Sequence, residues 1–309
     1  MIEQVIAQIK PLDLTAMTKC QLRLDNLTKP LGSLHAFEHL ACKMAGITGR
    51  ARPQRTTPVL VLMNGSRRTP GLTDVFAGEV GAHLVCFDVA EAGRATLQQI
   101  EQALEQGIKI ACAATAGGTQ VIGAGVTGDP DMVLLGRIID QVRSGASGRT
   151  ILNEAGSFEL AGLVGVMLGA AASGAAIVLD GATTSAAALL ACQMAPLVRD
   201  RLVGSHFSAE PQQAEILELA NLPAYVPGDE CRRRGRRGAG HLIDPCCVAR
   251  AERHEDLWRS GGQRGRGRTG RAGPGPECEG LTEYFLADDD IKPAPELSTD
   301  LAVVGALAE

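Results

Sequence analysis

The residues best placed to do chemistry lie between Gly174 and Pro211. Asp180 and Gly181 directly follow the apolar run Ala175-Ala176-Ile177-Val178-Leu179. A short continuous apolar run reads as a strand covered on both faces. A carboxylate straight after it stands at the strand's carboxyl end, where open parallel sheets bind ligands. Asp180 is therefore the first binding candidate, the other reading being a helix cap. Downstream, His206, Ser208 and Glu210 crowd a polar loop, and His206 and Glu210 can equally be a pair that anchors it. Thr115-Ala116-Gly117-Gly118-Thr119 follows an apolar stretch at 108–113. Read as the small-residue end of a strand, it would let backbone N–H groups and Thr119 meet a phosphate. It lacks the G-x-G-x-x-G spacing of a dinucleotide site. Lys29 reads as a solvated loop lysine. Nine cysteines follow no metal-ligand rhythm, with Cys246-Cys247 the only close pair, so no metal site is expected and the thiols read as reduced.

Those residues need elements to hold them. Residues 1–45 read as helices broken at Pro11 and again at Pro30 and Gly32, with Ser33 capping a helix from His35 to Ala45. A polar linker at 50–58 leads to strands at 59–63, 83–89, 108–113 and 175–179. A helix over Ala95–Gln106 is expected to end at Gly107. A second spans Ala161–Ala172. A third over Ala186–Ala195 would be capped by Thr183, Thr184 or Ser185 and stopped by Pro196. Alternating strands and helices predict an α/β fold with a doubly wound, mostly parallel, Rossmann-like sheet. Its α/β domain would cover 55–226, preceded by the helices of 1–50. The chain has 309 residues, 45% hydrophobic content and a formal charge of −5. That charge gives no general attraction to nucleic acid or an anionic membrane. No run reaches the roughly 18 apolar residues of a membrane span. The opening MIEQVIAQIK is amphipathic rather than signal-like, so a cytoplasmic protein is expected.

Three stretches carry a resemblance to a known family. RLDNLTKPLGSL at 23–34, LVGVMLGAAASGAAIVLDGATTSAAALLACQMAP at 163–196 and GSHFSAEP at 204–211 strongly resemble nicotinate-nucleotide–dimethylbenzimidazole phosphoribosyltransferases. The resemblance implies a pentosyltransferase of cobalamin lower-ligand synthesis. Phosphoribose would pass from nicotinate mononucleotide to a benzimidazole nitrogen, with no metal or organic cofactor. It further implies a small helical domain built from both termini and a homodimer. Asp180 and Gly181 match the family's strand-end pair beside the nucleotide. Ser208 matches a serine lining the same site, with Glu210 in the same run. Gly156 sits at the family's glycine turn before a helix. Some relatives pair as heterodimers with a paralogue and use phenolic acceptors, which supplies a second reading as a non-catalytic partner subunit.

The chain departs from that pattern in three places. After the 59–63 strand the turn is Asn64-Gly65-Ser66, with only a short connection to the next strand, so the acceptor pocket is expected to differ. The family's phosphate loop, placed at 111–125, has lost its glutamate. From 228 to 275 the composition breaks: twelve arginines, no lysine and almost no periodic apolar pattern. The position of the family's proton-accepting glutamate falls at Arg233 and Arg234, so no catalytic residue is assigned. An arginine–glycine nucleic-acid tail is disfavoured, because Trp258 is the only aromatic and no basic face supports it. A reading-frame shift accounts for the segment better. Back-translated and read one nucleotide later, Glu252–Trp258 permits Asn-Asp-Met-Lys-Thr-Phe-Gly, a family-like helix end. Residues 228–272 are therefore expected to be out of frame and without a packed core, with family-like sequence resuming in a C-terminal segment at 277–309.

Overall fold

The computed structural model describes residues 1–64, 72–88, 94–127, 129–206 and 210–226. The segments at 228–275 and 277–309, including Arg233 and Arg234, lie outside the described residues. Six strands form one parallel sheet in the order β2-β1-β3-β4-β5-β6. They are β1 (Val59–Asn64), β2 (His83–Asp88), β3 (Val121–Thr127), β4 (Ala176–Leu179), β5 (Leu202–His206) and β6 (Ala224–Val226). The predicted α/β fold with a doubly wound parallel sheet is the observed one.

Helices cover both faces. On one side α5 (Leu97–Ala116), α6 (Met132–Arg143), α7 (Gly148–Ala155), α8 (Phe158–Ser173), α9 (Gly181–Met194) and α10 (Pro211–Leu219) share a core with Val61, Met63, Ile122, Ile177 and Leu179. On the other, α4 (Leu72–Glu79) and α3 (Ala36–Thr48) bury Ala77, Leu40, Met44 and Ile47 against Leu60, Leu62, Val178 and Val203. Strand residues alternate between the two cores, which is why the strands read as unbroken apolar runs.

One expected strand is absent. Ile108–Ala113 continues α5, opened by a Thr96/Gln99 capping box. Its buried stripe of Ile100, Ala103, Leu104, Gly107, Ile108 and Ala111 holds the helical period throughout. Gly107 is no cap. A Cβ there would lie 2.1 Å from the Gly162 carbonyl oxygen, and one at Gly165 would lie 2.2 Å from that of Leu104. The two helices meet backbone to backbone, so glycine is required by closeness rather than by a turn. The actual third strand, Val-Ile-Gly-Ala-Gly-Val-Thr, is too rich in small residues to announce itself.

At the N-terminal side α1 (Ile2–Ile6) packs on the larger core. The helices α2 (Leu14–Asp25) and α3 form a hairpin with its own core of Ala16, Cys20, Leu24, Ala41, Cys42 and Ala45. Lys29 is not a solvated loop residue: its ammonium sits 2.8 Å from Glu38, with side-chain exposures of 14% and 9%. Glu38 also accepts from the Leu34 N–H at 3.1 Å. That glutamate, held below its ordinary pKa chiefly by the Lys29 hydrogen bond, ties down the turn ahead of the helix, and Ser33 is not the cap. The N-cap is His35, without a side-chain cap bond and with φ +47°. The hairpin is fastened to the sheet by two buried cations. Lys43 donates to the Leu202 carbonyl at 2.5 Å. Arg201 donates to the carbonyls of Ile47 (3.0 Å) and Lys10 (2.9 Å). Burial pushes the Lys43 ammonium down to about 8, against the opposing fields of Asp200 and Cys192.

Candidate functional site at the carboxyl edge of the sheet

The strand order reverses at β1: its successor β2 lies on one side and β3 on the other. Ligands of doubly wound sheets sit beyond the carboxyl ends of strands at such a point. Asn64, Asp88 and Thr127 are in register there, closing β1, β2 and β3. The next strand, β4, stops at Leu179, level with Ala124, so Asp180 lies beside the last turns of β3.

Asp180 is 5% exposed. It occupies the N-cap position of α9 with extended backbone (φ −128°, ψ 120°), yet its side chain makes no capping bond. The helix-cap reading of this carboxylate therefore fails. Gly181 has φ +80°, a conformation costly for any residue with a Cβ, and it lets α9 start directly at the strand end. Thr183, Thr184 and Ser185 consequently lie inside the first helical turns and are not caps. Ser185, 1% exposed, donates to the Gly181 carbonyl at 2.8 Å. Gln213 of α10, also 1% exposed, reaches Ser185 at 3.5 Å. Glu210 stands half-buried at the N-cap of α10, past the carboxyl end of β5, and its side chain does not cap that helix. Ser208 lies outside the described residues.

Gly156 also reaches this edge. It ends α7 with φ +63°, and a Cβ there would lie 2.5 Å from Cγ of Arg94. Arg94 donates to the Glu154 carbonyl at 3.0 Å, and the Ala95 N–H donates to Gly156 at 2.8 Å. Ser157 caps α8, accepting from the Leu160 N–H at 3.1 Å. Phe158 stacks on Phe87 of β2 with ring centroids 5.8 Å apart. The α7–α8 turn is thereby tied to the segment ahead of α5 and, through Phe158, to β2.

Thr119 does not belong to this edge. It precedes β3, at the amino-terminal end of the sheet, and its hydroxyl donates to the Thr57 carbonyl at 3.1 Å. The expectation that Thr119 meets a phosphate rested on the misplaced strand. The segment that does extend from β3 runs through Asp129 to Asp131. Asp131 caps α6, accepting from the N–H groups of Val133 and Leu134 at 3.0 Å each. A carboxylate thus already holds that helix N-terminus. Arg94, Asp131 and Gln213 went unread in the sequence; following the α5 stripe to Ala116 would have moved β3, and with it Asp131, into place. Among the described residues no group of three or more His, Cys, Asp or Glu could hold a metal ion, and no helix is long and apolar enough to cross a membrane.

A family model described as phosphoribosyltransferase matches residues 9–68 and 135–227. The stretch left unmatched between them, 69–134, takes in α4, β2, α5 and β3, and the match ends where the arginine-rich segment begins. Among curated proteins, the chain is 28% identical over 333 residues to the nicotinate-nucleotide–dimethylbenzimidazole phosphoribosyltransferase of Yersinia enterocolitica, covering 80% of this chain and 94% of that protein. It is 30% identical to the enzyme of the same name from Roseiflexus sp., covering 79% and 91%. Among solved structures, CobT from Thermus thermophilus superposes with a TM-score of 0.66 at 21% identity, covering 81% of this chain and all of that one.

Proposed function

The chain belongs to the nicotinate-nucleotide–dimethylbenzimidazole phosphoribosyltransferase family, and from that membership we propose its reaction and the residues that serve it. Phosphoribose moves from nicotinate mononucleotide to 5,6-dimethylbenzimidazole, giving nicotinate and α-ribazole 5′-phosphate for the lower ligand of cobalamin. The acceptor nitrogen's lone pair forms the new bond to the anomeric carbon. The carbon–pyridinium bond breaks, its electron pair neutralises the ring, and nicotinate leaves. The acceptor's N–H proton passes to a base. Since the pyridinium is a good leaving group, the protein's work is to align the two rings and to take that proton.

The observation that carries the site assignment is Asp180: a buried carboxylate at the end of β4 that leaves its own helix uncapped. It lies in the stretch matched by the family model. Asp180, Gly181 and Gly156 are proposed to border the nucleotide, together with Glu210 and Ser208 on the loop after β5. The working form is proposed to be a cytoplasmic dimer, with itself or with a paralogue. A related benzimidazole or a phenol is the acceptor to compare with dimethylbenzimidazole. Titration of nicotinate mononucleotide into the protein tests the site. Asp180→Ala is expected to weaken binding at least tenfold while leaving the circular dichroism spectrum unchanged; equal affinity in the variant would remove Asp180 from the site.

A further inference from the structure

We propose that Gln213 is a positioning residue for the nucleotide site, setting the Asp180–Gly181 turn relative to the start of α10, where Glu210 is the N-cap. The proposal rests on the reading that this turn meets the nucleotide. Gln213 is the third residue of α10, so it is joined through that helix's first turn to Glu210 at the N-cap. Gln213 is 1% exposed, and its amide nitrogen lies 3.5 Å from the Ser185 hydroxyl. Ser185 in turn donates to the Gly181 carbonyl at 2.8 Å. A line of hydrogen bonds thus runs from the element after β5 to the element after β4, ending on the residue whose φ of +80° shapes the turn.

Packing does not call for an amide here. Ile216 and Leu217 already seat α10 in the core, at 0% and 2% exposure. A buried amide needs partners, and it is costly where they are missing. What it adds over an apolar side chain is direction: a donor that selects one relative placement of the two helices. Leucine at 213 would keep the packing and lose that selection.

The test uses the full chain with Gln213→Leu, Ser185→Ala and the double variant. Affinity for nicotinate mononucleotide is read by titration, amide hydrogen exchange over 180–185 by mass spectrometry, and stability by thermal melts. Each single variant is expected to lose about tenfold in affinity, with faster exchange at 180–185, unchanged exchange in α5 and α8, and melting within a few degrees of the parent. Because the two residues act in series, the double variant should lose no more than the worse single one. Affinity within twofold of the parent, or losses that add, would overturn the proposal. If the parent binds no nicotinate mononucleotide, the functional reading falls, and exchange at 180–185 alone then decides: faster in Gln213→Leu upholds the pin, unchanged refutes it.

Discussion

Lys43 shows how one side chain can report on its surroundings. It is 8% exposed, gives one of its three donors to Leu202, and has its pKa lowered to about 8 by burial. The unfolded chain keeps the proton to about 10.4. Below pH 8 both states are protonated and the burial penalty is constant. Between about 8 and 10.4 the unfolded state binds more protons, so this residue's contribution to stability rises with pH. Urea titrations of the parent and Lys43→Met across pH 7 to 11 should show the parent gaining on the variant through that window. The buried thiols Cys20 and Cys192, raised chiefly by burial to about 12 and about 11, pull the other way; Cys20 is common to both proteins, and Cys192, which lies in the field of Lys43, is controlled by repeating the comparison in a Cys192→Ser background. A flat difference would mean that the ammonium is better solvated than its burial implies. At this scale Asp180 was legible because an apolar run must end somewhere, and its end is an address. Thr119 was misread because its address depended on a strand that does not exist. Lys29 was misread because its partner Glu38 is nine positions away across a turn.

The seam between α5 and α8 governs the element scale. Gly107, Gly165 and Gly169 bring two helix backbones together, and a Cβ at Gly169 would lie 2.7 Å from the Ile108 carbonyl oxygen. Propensity alone favours alanine over glycine by about 1 kcal/mol in a helix. Here overpacking against main-chain atoms outweighs it. Gly165→Ala is expected to lose about 2–4 kcal/mol of unfolding free energy, measured by urea denaturation. A neutral or stabilising result would show that the helices can slide apart freely. The strands β1 and β4 were legible because burial on both faces makes continuous apolar runs; the edge strand β2 was legible from its apolar run too, although its residues are only half-buried and Cys86 is exposed. The long α5 was not, because Ile108-Lys109-Ile110-Ala111-Cys112-Ala113 satisfies an alternating pattern as well as a helical one, and Gly107 imitates a cap. The short α6 and α7 carried no expectation at all, although Asp131 and Ser147 cap them.

Across the whole molecule, the fold and the family were readable from three motifs, two of which frame the site. The acceptor side was not, since the sequence departs from the family pattern after β1 and again from 228 onward. We propose that 228–272 is read out of frame. Sequencing the gene from independent clones decides this, and an uninterrupted frame encoding the arginines would end the idea. Arginine stays protonated and cannot take the acceptor's proton. The chain as written is therefore expected to release nicotinate at least a hundredfold more slowly than a version with the frame restored, by chromatographic assay with dimethylbenzimidazole; equal rates would show that the base lies elsewhere. The fastening of the N-terminal hairpin has a consequence for how this protein can change over generations. Lys43 and Arg201 grip the carbonyls of Leu202, Ile47 and Lys10, atoms that every residue type possesses. The exposed Lys10 position can therefore drift freely, and Ile47 and Leu202 are constrained only by their places in the core, so an alignment of relatives should show no paired substitutions across the joint, only the two cations held fixed.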